Sequence, residues 1–130
     1  MLLDFIAQRE PFTAVAQQLF EATVLLRAAL YVSGLSFGHL DYTLRKALPA
    51  AERLLKMTQL ADLVEIIPTG RPVIEAALTL GFADFEDGLQ YCAARRVPAI
   101  EAIVTRDPKG FAAGALPVLS PPEALARLGA

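Results

Sequence analysis

A chain of 130 residues is the size of one domain and long enough to bury its own core. It is 55% hydrophobic with a mean hydropathy of +0.44, yet no apolar run approaches the ~18 residues of a membrane span. A net charge of −2 excludes a broad basic footprint for nucleic acid, and the single cysteine, Cys92, excludes an internal disulfide or a thiolate metal site. Pro11 to Ala29 reads as a helix, with Val15, Leu19, Ala22 and Leu26 spaced for one apolar face. Leu30-Tyr31-Val32 is a short β-prone run leading into Ser33-Gly34. Helices follow over Ser36 to Leu48 and over Pro49 to Ala61, the second with proline in its first turn. Val64 to Ile67, closed by Pro68, is a strand. Pro72 starts a helix that Gly81 stops. Asp84 caps the next helix, which runs to about Arg96 with Phe85, Leu89, Cys92 and Ala93 inward. Ala99 to Thr105 and Pro117 to Leu119 are strands, and Pro121-Pro122 open a short terminal helix.

Strands separated by helices predict an α/β domain over residues 1–130 with a mainly parallel sheet. The apolar excess is larger than one thin sheet can cover, which points to an interface with a partner or a second copy, so a homo-oligomer is expected. The N-terminus carries Asp4 and lacks a basic leader, which makes the cytoplasm the expected location. Any nucleic-acid contact must be local, through Arg45, Lys46, Arg95, Arg96, Arg106 or Lys109.

Two stretches carry the chemistry. Asp84-Phe85-Glu86-Asp87-Gly88-Leu89-Gln90 opens a helix with three carboxylates in its first four positions. Ile103-Val104-Thr105-Arg106-Asp107-Pro108-Lys109-Gly110-Phe111 ends an apolar strand on an Arg-Asp pair in a turn. In an α/β domain both places can lie at one edge of a parallel sheet, where ligands bind. Acids gathered there without basic partners repel one another unless a divalent cation sits between them. A hard-metal site is therefore the first expectation.

Each of these residues also has an ordinary reading. Asp84 is most simply an N-cap, although its spacing from Asp87 puts both near one helix face, where it could support or weakly join a metal site. Glu86 reads as solvated. Asp87 suits a helix first turn, and Asp107 before Pro108 suits a turn. Arg106 can hold a phosphate or form a surface salt bridge. Arg45-Lys46 fits a solvated helix end, with an RNA-backbone contact as the second reading. His39, near Leu35, Phe37 and Leu40, reads as structural, with metal ligation as the alternative. Asp41 lies about 200° around the helix from it and faces elsewhere.

The Asp-Phe-Glu-Asp-x-Leu-Gln segment, followed by Ile-Val-Thr-Arg-Asp-x-Lys-x-Phe and Pro-Val-Leu-Ser-Pro-Pro-Glu, is similar to the bacterial PIN-domain family, which includes the VapC-type toxins of toxin–antitoxin pairs. Leu3-Asp4-Phe5-Ile6, Arg9-Glu10-Pro11-Phe12 and Ser33-Gly34-Leu35-Ser36 with Leu44-Arg45-Lys46 follow the same pattern in the same order. The resemblance implies a three-layer α/β/α domain acting as a ribonuclease that needs Mg²⁺ or Mn²⁺. It places metal ligands and catalytic acids at Asp87 and Asp107, with Asp84 beside them or as a weak ligand. Arg106 and Arg45 would bind substrate. RNA is the implied substrate and an antitoxin protein a possible partner.

The chain departs from the family pattern at its start. Family members open on a strand ending Asp-Thr-Asn-Val, whose Asp is a central ligand, followed by Leu-Leu-Asp. Here Met1 stands at that valine and Asp4 at the later, structural acid. The expectation is a first strand missing from the sheet, impaired activity and unpaired strand edges, explained by a GTG codon taken as the initiator or, alternatively, by a degenerate member that has lost its catalytic strand. The competing reading is a non-catalytic PIN-like module acting through an apolar interface. A response-regulator receiver would need an Asp closing a middle strand, and Val64 to Pro68 ends without one.

Overall fold

The computed structural model describes residues 13–25, 29–105, 111 and 115–128, with side chains of the first helix described from Gln18 onward. That helix, α1 (Thr13–Val24), buries Leu19, Phe20 and Ala22. Leu25 already lies in a turn and is 65% exposed, so the helix closes before the expected Ala29. Val15 and Leu26 fall outside the described side chains.

β1 (Tyr31–Ser33) passes straight into α2 (Gly34–Leu44). Ser33, extended at φ −73° and ψ 153°, is both the last strand residue and the N-cap, so α2 starts earlier than the expected Ser36. It also stops earlier. The N–H groups of Ala47 and Leu48 both donate to the carbonyl of Leu44, and Pro49 disfavours a helical Leu48. α3 (Ala50–Leu63) then starts afresh with Pro49 as its N-cap. Arg53 fastens α3 to α2, its Nε donating to Asp41 Oδ1 at 3.0 Å and a guanidinium NH to the Leu48 carbonyl at 2.7 Å.

β2 (Glu65–Ile67) runs parallel to β1, with Tyr31 opposite Glu65 and Ser33 opposite Ile67. α4 (Arg71–Leu80) has Pro72 in its first turn, and Gly81 closes it in the left-handed region at φ 75°. The proline-first, glycine-last expectation holds there. α5 (Phe85–Arg95) packs on α4 through Gly88, where a methyl group would meet Phe82 Cβ at 3.5 Å and Ala77 Cβ at 3.8 Å. This contact sets the buried face of α5 on Gly88, Tyr91, Cys92, Ala93 and Ala94. Phe85, expected inward, is instead 44% exposed, because that close approach turns the first helical position outward. Cys92 is buried as expected; burial pushes its thiol up, against the opposing charge of Arg95.

β3 (Ile103–Val104) and β4 (Val118–Leu119) form a second parallel pair. The expected strand from Ala99 shrinks to two residues because β4 offers only two opposite it, and Ile100 instead closes a turn onto the Val97 carbonyl. α6 (Pro121–Arg127) starts on a complete capping box: Ser120 Oγ accepts from the Glu123 N–H, and the Glu123 carboxylate accepts from the Ser120 N–H.

The molecule is thus α/β, helix-rich, with small parallel sheets. One point corrects the expected single sheet: among the described residues the strands make two separate parallel pairs, β1–β2 and β3–β4. The apolar interior is divided in the same way. Ile67, Val73, Ala77, Tyr91, Cys92, Ala93 and Phe111 make one cluster. Phe20, Leu40, Leu44 and Leu60 make the other. Burying each such side chain contributes about 1.5–3 kcal/mol, so each cluster is a core in its own right.

Candidate active site

A cleft of about 990 Å³ lies where the two halves meet. It is flanked by all three residues of β1 and by Ile103, Val104 and Thr105 at the end of β3, and members of both cores line it. Ser33 closes β1 and Thr105 follows β3, so the cleft reaches the carbonyl ends of both strands, where ligands bind in parallel sheets; Glu101, ahead of β3, lines it as well.

Three of them form a closed ring of hydrogen bonds. Ser33 Oγ donates to Gln90 Oε1 at 2.7 Å, and Gln90 Nε2 donates to Ser36 Oγ at 3.0 Å. The two serine oxygens are 3.3 Å apart. Since a hydroxyl has one proton and that of Ser33 goes to Gln90, Ser36 is the donor in the third bond. Ser33 is only 4% exposed, so the ring satisfies a polar group that burial would otherwise penalise. It also ties the end of β1 to α5 one turn beyond Asp87.

Asp87 lines this cleft from the first turn of α5, half-buried, where the helix dipole favours a carboxylate. Glu86 lines it too, with its Oε1 3.4 Å from His39 Nδ1 on α2. His39 is therefore not the packed structural histidine expected from its apolar neighbours. Its side chain is 63% exposed and faces an acid across the cleft mouth. Glu86, expected to be solvated, keeps half its surface exposed while making this contact. Arg127 of α6 adds a cation to the same lining.

The other expected site residues divide clearly. Asp84 does not line the cleft; its Oδ1 accepts from the N–H groups of Glu86 at 2.8 Å and Asp87 at 3.3 Å, so it caps α5 and thereby orients the turn that carries Asp87. Arg45 does not line it either. Arg45 lies 3.7 Å from Asp41 and stacks on the Tyr42 ring at 5.6 Å, on the far side of α2. Asp41 faces away, as the helical spacing requires, and is held by Arg53. Arg95 is occupied with the Tyr91 hydroxyl at 2.8 Å. Asp107, Arg106 and Lys109 lie outside the described residues. The described residues that flank that segment, Thr105 and the buried Phe111, both line the cleft that holds Asp87.

Hard cations need several oxygen ligands. Among the described residues no group of three or more His, Cys, Asp or Glu side chains is placed to hold a metal ion. Asp87, with Glu86 and His39 at the mouth, supplies only part of such a set. Ser33, Ser36 and Gln90 belong to the family-like motifs of the sequence but carried no site role there, and Arg127 carried none either. Two signals pointed to them: Ser33 and Ser36 stand at a strand-to-helix passage, and Gln90 is three residues from Asp87 on the same helix face.

No helix among the described residues is long and apolar enough to cross a membrane. No curated protein and no solved structure matches the chain. A family model for the PIN domain matches residues 1–109, spanning both α5 with Asp87 and the strand that precedes Asp107. PIN domains are in general nucleases and commonly use divalent metals. By that match, and with an acid-bearing cleft at the carbonyl ends of parallel strands, the chain belongs to the PIN-domain family.

Proposed function

We propose that this PIN domain is a metal-dependent endoribonuclease, the toxin of a toxin–antitoxin pair, with Asp87 and Asp107 as ligands of Mg²⁺ or Mn²⁺. The observation that carries the reading is the place of Asp87: it lines one cleft together with Thr105 and Phe111, the described residues on either side of Asp107. When bound, a hard cation would polarise the phosphate and make hydroxide available near neutral pH. The chain's own residues would do the rest. Asp84 fixes the first turn of α5, the Ser33–Ser36–Gln90 ring fixes β1 against it, and Arg106 with Arg127 offers positive charge for the RNA backbone.

Calorimetric titration with Mn²⁺, paired with cleavage of a labelled single-stranded RNA, is the test. The wild-type chain should bind Mn²⁺ with millimolar or better affinity, and Asp87→Asn and Asp107→Asn should each weaken it at least tenfold. Equal Mn²⁺ binding by all three proteins would end the proposal.

A second reading is favoured by one observation. Leu54, Leu55, Ile66 and Leu78 are each more than half exposed. Exposed apolar side chains of that kind suit a module that acts through an interface. Absence of any Mn²⁺ binding by the wild-type chain, together with a concentration-dependent change in sedimentation, would select it.

A further inference from the structure

We infer that single-stranded RNA runs along the exposed flank of α2, where the Tyr42 ring stacks a base and Arg45 and Lys46 hold neighbouring phosphates. The inference takes its polymer from the nuclease reading and rests on it to that extent; the place on the protein is read from α2 itself. Arg45 keeps helical angles, φ −55° and ψ −35°, so the helical phase of α2 carries past Leu44 into the turn. Tyr42, Arg45 and Lys46 therefore stand at i, i+3 and i+4 on one face, and all three are exposed.

An exposed tyrosine is ordinary by itself. This one is 71% exposed and has the Arg45 guanidinium 5.6 Å from its ring centroid. A cation over one face steadies the ring and leaves the other face to a base. Asp41, 3.7 Å from Arg45, would oppose a phosphate there, but Arg53 of α3 answers it at a shorter 3.0 Å. No acid pairs with Lys46 among the described residues.

Charge selects the same surface. From Ser33 to Met57 the chain holds Arg45, Lys46, Arg53 and Lys56 against Asp41 and Glu52, a balance of +2 in a protein whose total is −2. A polyanion is drawn to this hairpin of α2 and α3 more than to the rest of the molecule. An acidic peptide would share that attraction, but it has no planar group to lay on Tyr42. Every nucleotide has one.

The flank also starts at the cleft. His39, one turn before Tyr42, lines the cleft that holds Asp87. His39, Tyr42 and Lys46, at i, i+3 and i+7, make a stripe about 10 Å long from the cleft mouth to the end of α2. Arg45, which does not line the cleft, thus acquires an RNA contact outside it.

The probe is a short fluorescein-labelled oligouridine, titrated with the full chain in EDTA so that no cleavage intervenes, and read by fluorescence anisotropy. Saturable binding is expected. Tyr42→Leu should weaken it roughly fivefold or more, and Tyr42→Phe should bind as the wild-type chain does. Lys46→Ala should make the slope of log K against log salt shallower by about 0.7. No binding of the oligouridine, equal binding by Tyr42→Leu, or equally strong competition by a polyglutamate peptide would each overturn the inference. Tyr42-dependent binding without Mn²⁺ affinity would keep it and remove the nuclease reading. Mn²⁺ binding with RNA binding indifferent to Tyr42 and Lys46 would do the reverse.

Discussion

Ser33 Oγ donates to Gln90 Oε1 at 2.7 Å, joining the last residue of β1 to the helix that carries Asp87 across 57 positions of sequence. The end of β1 and the helix that carries Asp87 are thus joined by neutral, uncharged groups.

Removing the Ser33 hydroxyl should expose that dependence. Ser33→Ala leaves Gln90 Oε1 without its donor in a part-buried site and is expected to cost ~1–3 kcal/mol in urea unfolding. Gln90→Ala should cost a similar amount, and the double variant less than the sum of the two, because the ring is lost once. Strict additivity would show that the ring does not act as a unit.

Asp84 should matter to the helix and not directly to a cation. Asp84→Ala removes both N-cap bonds and should lower stability by about 1 kcal/mol, while Asp84→Ser retains most of it. Mn²⁺ affinity should change far less in Asp84→Ser than in Asp87→Asn. A tenfold loss in Asp84→Ser would instead make Asp84 a ligand.

Tyr91 joins α5 to the segment that leads into β4. Its hydroxyl accepts from the Ala115 N–H at 2.6 Å and from Arg95 at 2.8 Å, and its ring lies 5.2 Å from that of Phe82. Burial alone would raise its pKa, but the Ala115 N–H, the hydrogen bond and charge of Arg95, and the Leu116 N–H together hold it below the usual tyrosine value. Tyr91→Phe keeps the packing and loses both accepted bonds. A loss of ~1–2 kcal/mol in chemical denaturation at neutral pH is expected, and no loss would show that the two accepted bonds do not hold α5 to that segment.

The capping box of α6 predicts an acid-side pH dependence. Bonds from the Ser120 N–H and hydroxyl hold the Glu123 carboxyl below its usual 4.5. A depressed acid contributes stability that is fully present above the unfolded value and is lost as pH falls through the lower folded value. The urea midpoint of the wild-type chain should therefore fall more steeply below about pH 4.5 than that of Glu123→Gln. Parallel curves for the two proteins would contradict the capping role.

Local chemistry made much of this protein legible before its structure. Proline and glycine set α4 between Pro72 and Gly81, Asp84 capped α5, and the short aliphatic runs at Val64 and Val118 became strands, because these signals act within a few residues. The helical period likewise separated Asp41 from His39. What the chain could not show was decided by contacts distant in sequence. Strand lengths depended on their partners, so the run from Ala99 paired only at Ile103 and Val104. Phe85 turned outward because Gly88 meets Phe82 and Ala77. His39 met Glu86, and Ser33 met Gln90, only because β1 and α2 lie against α5. The cleft itself, bordered by two strand edges that local pattern would have merged into one sheet, exists only in three dimensions, since hydrogen-bond pairing between strands is never written in either strand alone.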